Sequence, residues 1–182
     1  MKHSVQARQA MVSCQINPLG VFSEPILQAF SQVPRELFLP ENKRGVAYCD
    51  EEVEIAKGRY LIASDVLARM MQAAELQSED IVLTIGAGAG YSAAILSHLA
   101  NTVIALEDDV NLLSCAQAAW DQCPECCNIV GISGQVTQGA PDHAPYSLIF
   151  MNGAVTSVPQ SLLDQLSVGG RLIALVRPVS KG

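Results

Sequence analysis

Three glycines alternate in Ile85-Gly86-Ala87-Gly88-Ala89-Gly90-Tyr91, between an apolar run and a helical stretch, and no other segment of the chain is better suited to hold a small molecule. Glycine reaches positive φ and carries no Cβ, so a ligand can lie against bare backbone. The helix expected over 92–100 offers unpaired N–H groups and a positive dipole end. Its natural guest is an anion or a polar nucleoside. A dinucleotide site wants G-x-G-x-x-G, whose third glycine lets helix and strand pack beside a pyrophosphate. Counted from Gly86, that place is Tyr91, and the third glycine falls one residue early at Gly90. This G-x-G-x-G pattern suits S-adenosylmethionine, which has no pyrophosphate and lays its amino-acid arm and sulfonium over the loop. Glu107 closes the next apolar run, roughly 20 residues on, where a nucleotide fold keeps its ribose-binding acid. A carboxylate there accepts both ribose hydroxyls, each bond worth roughly 1.5–3 kcal/mol. A glycine turn that merely joins strand to helix is the plainer alternative, but three alternating glycines lose more chain entropy than a connection requires.

The elements that must position these residues are read from periodicity. Apolar runs at 81–85, 102–106, 128–132, 147–151 and 171–176 read as strands buried on both faces, separated by helices. Asp65 is placed to cap a helix carrying Val66, Leu67, Met70, Met71 and Ala74, and Asp109 to cap one carrying Leu112, Leu113, Ala116 and Trp120. Pro159 opens a third helix with Leu162, Leu163 and Leu166, which Gly169-Gly170 is expected to stop. The alternation predicts an α/β fold, a doubly wound, mostly parallel Rossmann-like sheet with right-handed crossovers. Residues 1–57 differ: Ser23 and Pro25 begin a short helix, and Pro34 and Pro40 punctuate the stretch after it. They read as an N-terminal helical and irregular lobe, with the cofactor-binding domain over 58–182.

Composition narrows the classes. Eleven Lys+Arg stand against 18 Asp+Glu, a net charge of −7, and no basic cluster interrupts the balance. A nucleic-acid partner, which requires a basic surface, is not expected. No apolar run reaches the roughly 20 residues of a membrane span, and the N-terminal residues lack the apolar core of a secretory signal. The six cysteines then read as reduced thiols in a cytoplasmic protein. Cys123-Pro124-Glu125-Cys126-Cys127 lacks the second ligand pair of a structural zinc site, so loop thiols and no metal are expected. His98 reads as surface or packing, and the acids Asp50, Glu51, Glu52 and Glu54 as a solvated loop.

From about Ala7 to Val176 the chain resembles the protein-L-isoaspartate O-methyltransferase family. The likeness rests on Val33-Pro34-Arg35-Glu36-Leu37-Phe38-Leu39-Pro40, Ala47-Tyr48-Cys49-Asp50, Gly58 before a helix, and the glycine loop with Tyr91. Ala144-Pro145-Tyr146, Val158-Pro159 and Gly169-Gly170-Arg171-Leu172 extend it. The resemblance implies S-adenosylmethionine as cofactor and a methyl transfer to the carboxylate of isomerised aspartyl residues in damaged proteins or peptides. It implies cofactor contacts at Thr84, Gly86, Ala87, Gly88, Gly90, Tyr91, Glu107 and Gln135. Several of these depart from the family pattern. Thr84 stands where an acid meets the methionine ammonium, and Gly134-Gln135-Val136 where Gly-Asp-Gly meets the adenine. The family loop Gly-Gln-Thr-Ile-Ser is Gly58-Arg59-Tyr60-Leu61-Ile62 here, so an isoleucine replaces the active-site serine. This opening resembles a divergent bacterial branch. With that serine gone, the donors to a substrate carboxylate are expected near Tyr60 and Ser64. A second reading keeps the cofactor but changes or loses the substrate, leaving a binding or regulatory module. A third, a nicotinamide-dependent dehydrogenase, is opposed by the missing glycine at Tyr91. Such folds carry a final strand hairpin that has no counterpart before Gly182; the expectation is either that the sequence is a fragment or that a partner, such as a second copy, covers the unpaired sheet edge.

Overall fold

In the computed structural model, which describes residues 2–177, the apolar runs assemble into one sheet. In chain order the elements are α1 (Lys2–Met11), α2 (Glu24–Gln32), β1 (Val53–Ala56), β2 (Arg59–Leu61), α3 (Ser64–Ala73), β3 (Ile81–Ile85) and α4 (Tyr91–Ser97). They continue as β4 (Thr102–Glu107), α5 (Val110–Trp120), β5 (Ile129–Ser133), β6 (Tyr146–Val155), α6 (Gln160–Leu163) and β7 (Leu166–Val176). Strands β1 and β2 form a small antiparallel hairpin, and the other five a sheet in the order β5-β4-β3-β6-β7 with every neighbouring pair parallel. The winding therefore reverses at β3, and the crevice outside its carboxyl end is where such sheets take ligands.

Alternation along β3 serves two layers. Val82 and Thr84 face one way; Leu83 and Ile85 face the other, joining Ile104, Leu106, Ile149, Met151 and Leu162. The first layer is continuous with the N-terminal lobe, because Met11, Ile16, Phe30 and Phe38 share a core with Val82, Ile95, Val103 and Leu148. Met70, Met71 and Trp120 are core residues, as their helical spacing predicts.

Some local expectations need correction. Asp65 does not cap α3: Ala63 holds the N-cap, and Asp65 pairs with Arg69 one turn on, at 3.1 Å. Ser23 occupies the N-cap of α2 without a side-chain capping bond, whereas Asp109 caps α5 by accepting from the Asn111 and Leu112 N–H groups. Gly169-Gly170 does not end a helix. α6 is a single turn after Pro159, and the two glycines lie inside β7, where the register slips between Tyr146↔Leu166 and Leu148↔Arg171. A Cβ on Gly170 would come 2.9 Å from the Ser167 and Tyr146 carbonyl oxygens, so the bulge needs glycine there. A second slip, between Phe150 and Ala154, takes Asn152 and Gly153 out of the β6 ladder at the sheet's carboxyl end.

Two tethers hold the frame. Arg171 on β7 donates to Asp80 just before β3 and to the Ala74, Glu75 and Ser147 carbonyls. Trp120 at the end of α5 donates its indole N–H to the Gly90 carbonyl at 2.9 Å. Gly90 has φ +92°, and a Cβ there would lie 2.7 Å from the indole ring.

Burial pushes the Asp80 carboxyl up, but its bonds from Arg171 and the Gln77 N–H outweigh this and hold it below the usual range. A depressed carboxyl stabilises the fold above its unfolded pKa of about 3.9, and that contribution is lost as pH falls through the folded value. Asp80→Asn should lower stability at neutral pH by roughly 1–3 kcal/mol and flatten the acid limb of the stability curve. Urea titrations across pH check this; an unchanged midpoint contradicts it. Gly90→Ala, with both strain and a clash against Trp120, should cost about 1–3 kcal/mol and blue-shift or broaden the tryptophan emission.

Candidate cofactor site

The glycine turn is anchored to β4 by the protein's own backbone. The Gly86 and Ala87 N–H groups both donate to the Leu106 carbonyl, at 2.9 and 3.0 Å. Gly86 and Gly88 take φ +69° and +59°, and a Cβ on Gly88 would reach 3.1 Å from Ile55 of β1. The Gly88 N–H points to the end of β4 and donates to Glu107 Oε2 at 2.6 Å. The Asp108 and Asp109 N–H groups donate to Glu107 Oε1, each at 3.0 Å. Three backbone donors thus fix one carboxylate, and its side chain is 0% exposed.

A fourth partner comes from the hairpin. Arg59 at the start of β2 directs Nη2 to both Glu107 oxygens, at 2.7 and 2.6 Å, and Nη1 to Asp108 Oδ1 at 2.9 Å. Burial alone would lower the Arg59 pKa, but its bonds to Asp108 and Glu107 reverse the direction and raise it.

Two spaces open from this constellation. One, of about 260 Å³, lies beyond the carboxyl ends of β3 and β6, lined by Gly86, Asp108, Val136, Met151 and Asn152 among others. The other, about 20 Å³, is a slit between the glycine loop and Ile55, Tyr60 and Ile62 of the hairpin and its exit.

The remaining residues singled out from the sequence are distributed unevenly around these spaces. Thr84 is buried, and its hydroxyl accepts from the Asn152 side chain at 2.7 Å. Tyr91 turns away from the crevice: its ring is 0% exposed, 4.9 Å from the Arg35 guanidinium and beside Phe30 and Phe38. Burial pushes its phenol up to about 12. Gly90 is taken up by Trp120 rather than by the crevice. Gln135 is exposed, and its neighbours Val136 and Thr137 line the larger cavity in its place. Tyr60 is half exposed over the slit. Ser64 is fully buried at the start of α3, lines neither space, and its hydroxyl has no hydrogen-bond partner.

Arg59, Asp108 and Asn152 were not singled out as site residues from the sequence. Asn152 had a usable signal, since a doubly wound order sets the end of β6 beside the glycine strand. Arg59 had a weaker one, as a cation in a loop where the family pattern carries none. Cys123 and Cys126 are buried, and burial pushes both thiols up, Cys126 to about 12, which makes them unreactive. Among the described residues no three His, Cys, Asp or Glu side chains gather as metal ligands, and no helix is long and apolar enough to cross a membrane.

Comparison with known proteins gives the family. The sequence profile of the protein-L-isoaspartate(D-aspartate) O-methyltransferase family matches residues 6–181. A protein-L-isoaspartate O-methyltransferase of Methanoculleus marisnigri is 39% identical over 174 residues, covering 94% of this chain and 77% of the relative. A second, from Pelobacter propionicus, is 36% identical over 173 residues, covering 95% and 76%. Among solved structures, a protein-L-isoaspartate O-methyltransferase superposes with TM-score 0.80 at 28% identity, and this chain spans 55% of its length. A structure from Plasmodium falciparum in complex with S-adenosyl-L-homocysteine also reaches 0.80, at 17% identity over 93% of this chain and 84% of that one, a likeness of fold. The chain belongs to the protein-L-isoaspartate(D-aspartate) O-methyltransferase family.

Proposed function

We propose that the chain methylates the carboxylate of L-isoaspartyl residues in damaged proteins, with S-adenosylmethionine as the methyl donor. The observation that carries the reading is the meeting of the glycine turn with the buried Glu107 carboxylate, which the Gly88 N–H and two further backbone donors hold directly behind Arg59 and Asp108 of the cavity wall. That arrangement fits a nucleoside. The carboxylate would take the ribose hydroxyls. The 260 Å³ cavity, with Val136 and Met151 in its wall, would take the base. Its size is close to the lower end, about 300 Å³, of common ligand clefts. The amino-acid arm would run along Gly86 and Gly88 toward Thr84, whose hydroxyl and Asn152 partner offer neutral hydrogen bonding in place of a counter-charge.

When bound, the cofactor supplies a methyl group activated by its sulfonium. The isoaspartyl carboxylate is ionised near neutral pH, so methyl transfer to it would need no general base: the new O–CH3 bond would form as the S–CH3 bond breaks, with the electron pair of that bond staying on the sulfur of the neutral thioether product. The protein's part is alignment and exclusion of water. Tyr60, on the hairpin and lining the slit, would orient the incoming carboxylate, whereas Ser64 would join only on a shift of α3 that exposed it. A cytoplasmic setting with reduced thiols suits repair of cellular proteins. Strand β7 exposes Val168 and Val176 at the outer sheet edge, where a second copy would pair; sedimentation equilibrium checks that part of the reading.

A second reading, in which the cofactor is kept and the substrate has changed, is favoured by one observation. Ile62 faces the slit at the place of the family's serine, so the floor of the acceptor site is apolar there.

Labelled-methyl transfer separates the two. Incorporation into an isoaspartyl peptide, with little into its aspartyl twin, is expected; equal or absent incorporation despite cofactor binding favours the second reading. Glu107→Gln should weaken S-adenosylhomocysteine binding in calorimetry by roughly 10–100-fold through loss of the charged acceptor. Unchanged affinity would overturn the assignment of Glu107.

A further inference from the structure

The Glu107 carboxylate has no acceptor capacity to spare. Oε1 takes three donors and Oε2 two, against about four lone-pair sites for the group. The three backbone donors belong to the turns that shape the crevice and cannot leave without unmaking it. Arg59 can leave. It sits on a three-residue strand beside the Gly58 turn, its side chain is 32% exposed, and the hairpin meets solvent on its outer side. It also has somewhere to go: Asp108, half exposed and already 2.9 Å from Nη1. The slit beside it is equally restrictive. At about 20 Å³ it holds roughly one water and no amino-acid arm, and its roof, Ile55 and Tyr60, belongs to the same hairpin as Arg59.

We infer that Arg59 is a displaceable latch that sets cofactor affinity: it occupies the hydroxyl-binding positions of Glu107 and yields them by swinging onto Asp108 as the hairpin lifts from the glycine loop. The inference rests on the cofactor reading above and adds to it. Entry of the nucleoside exchanges one charge-assisted pair for two hydroxyl donors, while the retained Asp108 contact keeps the guanidinium paired throughout. Arg59 is thus an affinity-determining residue that competes with the ligand rather than holding it.

Calorimetric titration of S-adenosylhomocysteine into five chains, wild type, Arg59→Ala, Arg59→Lys, Asp108→Asn and the Arg59→Ala/Asp108→Asn double variant, tests this, with circular dichroism confirming that each is folded. Arg59→Ala should bind roughly tenfold more tightly than wild type. Arg59→Lys, which keeps the charge but not the fork, should fall between them. Asp108→Asn should bind several-fold more weakly when Arg59 is present, because the displaced guanidinium loses its second seat, and should have little effect in the Arg59→Ala background. Equal or weaker binding by Arg59→Ala, in a wild type that does bind, overturns the latch and leaves the cofactor reading intact. An equal effect of Asp108→Asn in both backgrounds overturns the proposed second seat. Absence of binding in every folded chain overturns both the latch and the cofactor reading.

Discussion

A buried carboxylate without partners would shed its charge or pull water into the fold. At Glu107 the backbone on either side of the carboxylate is turned toward it and fills its acceptor positions. The Gly88 N–H comes from one side, and the N–H groups of Asp108 and Asp109 come from its own strand end. The geometry of the crevice follows from satisfying that charge. The glycine turn bends as it does because Gly86 and Ala87 are tied to Leu106 and Gly88 to Glu107, and positive φ at Gly86 and Gly88 is the backbone conformation that permits this. Helix α5 starts where it does because Asp109, the next acid but one, caps it.

A second buried charge ties the N-terminal lobe to this centre. Arg35 is 0% exposed, and no carboxylate pairs with it among the described residues. Burial lowers its pKa, and carbonyls with a ring face take the place of a counter-ion. Nε donates to the Ala47 oxygen and Nη2 to the Ile62 oxygen, both at 2.8 Å, above the Tyr91 ring. One side chain therefore spans the lobe, the loop that leaves the hairpin, and the helix that follows the glycine turn. This explains why Tyr91, read from the sequence as a cofactor residue, is buried away from the crevice: it is the face on which the lobe is seated.

The strands were legible because a parallel sheet buried on both faces leaves unbroken apolar runs. β4, β6 and β7 extend beyond the runs that announce them, and β5 is displaced from its run by one residue. The glycine turn and Glu107 were legible because few backbones need that spacing. What escaped was set by tertiary contact. Gly90 looked like a ligand-facing glycine, but its missing Cβ makes room for Trp120, 30 residues on. Gly169-Gly170 looked like a helix stop because nothing local distinguishes it from a bulge whose partner is Tyr146. The pairing of Arg59 with Glu107 joins residues 48 apart, with no periodicity to announce it. Ser64 carries the right hydroxyl in the right stretch, yet the start of α3 turns it inward.

On the proposed reading, Glu107 is the sugar-binding group of a methyl-donor site whose entrance Arg59 contests. A crystal structure with S-adenosylhomocysteine bound tests it most directly. Both ribose hydroxyls should lie on the Glu107 oxygens, the base against Val136 and Met151, and the Arg59 guanidinium on Asp108 alone. A ligand seated elsewhere, or one seated in the crevice with Arg59 still clasping Glu107, would contradict it.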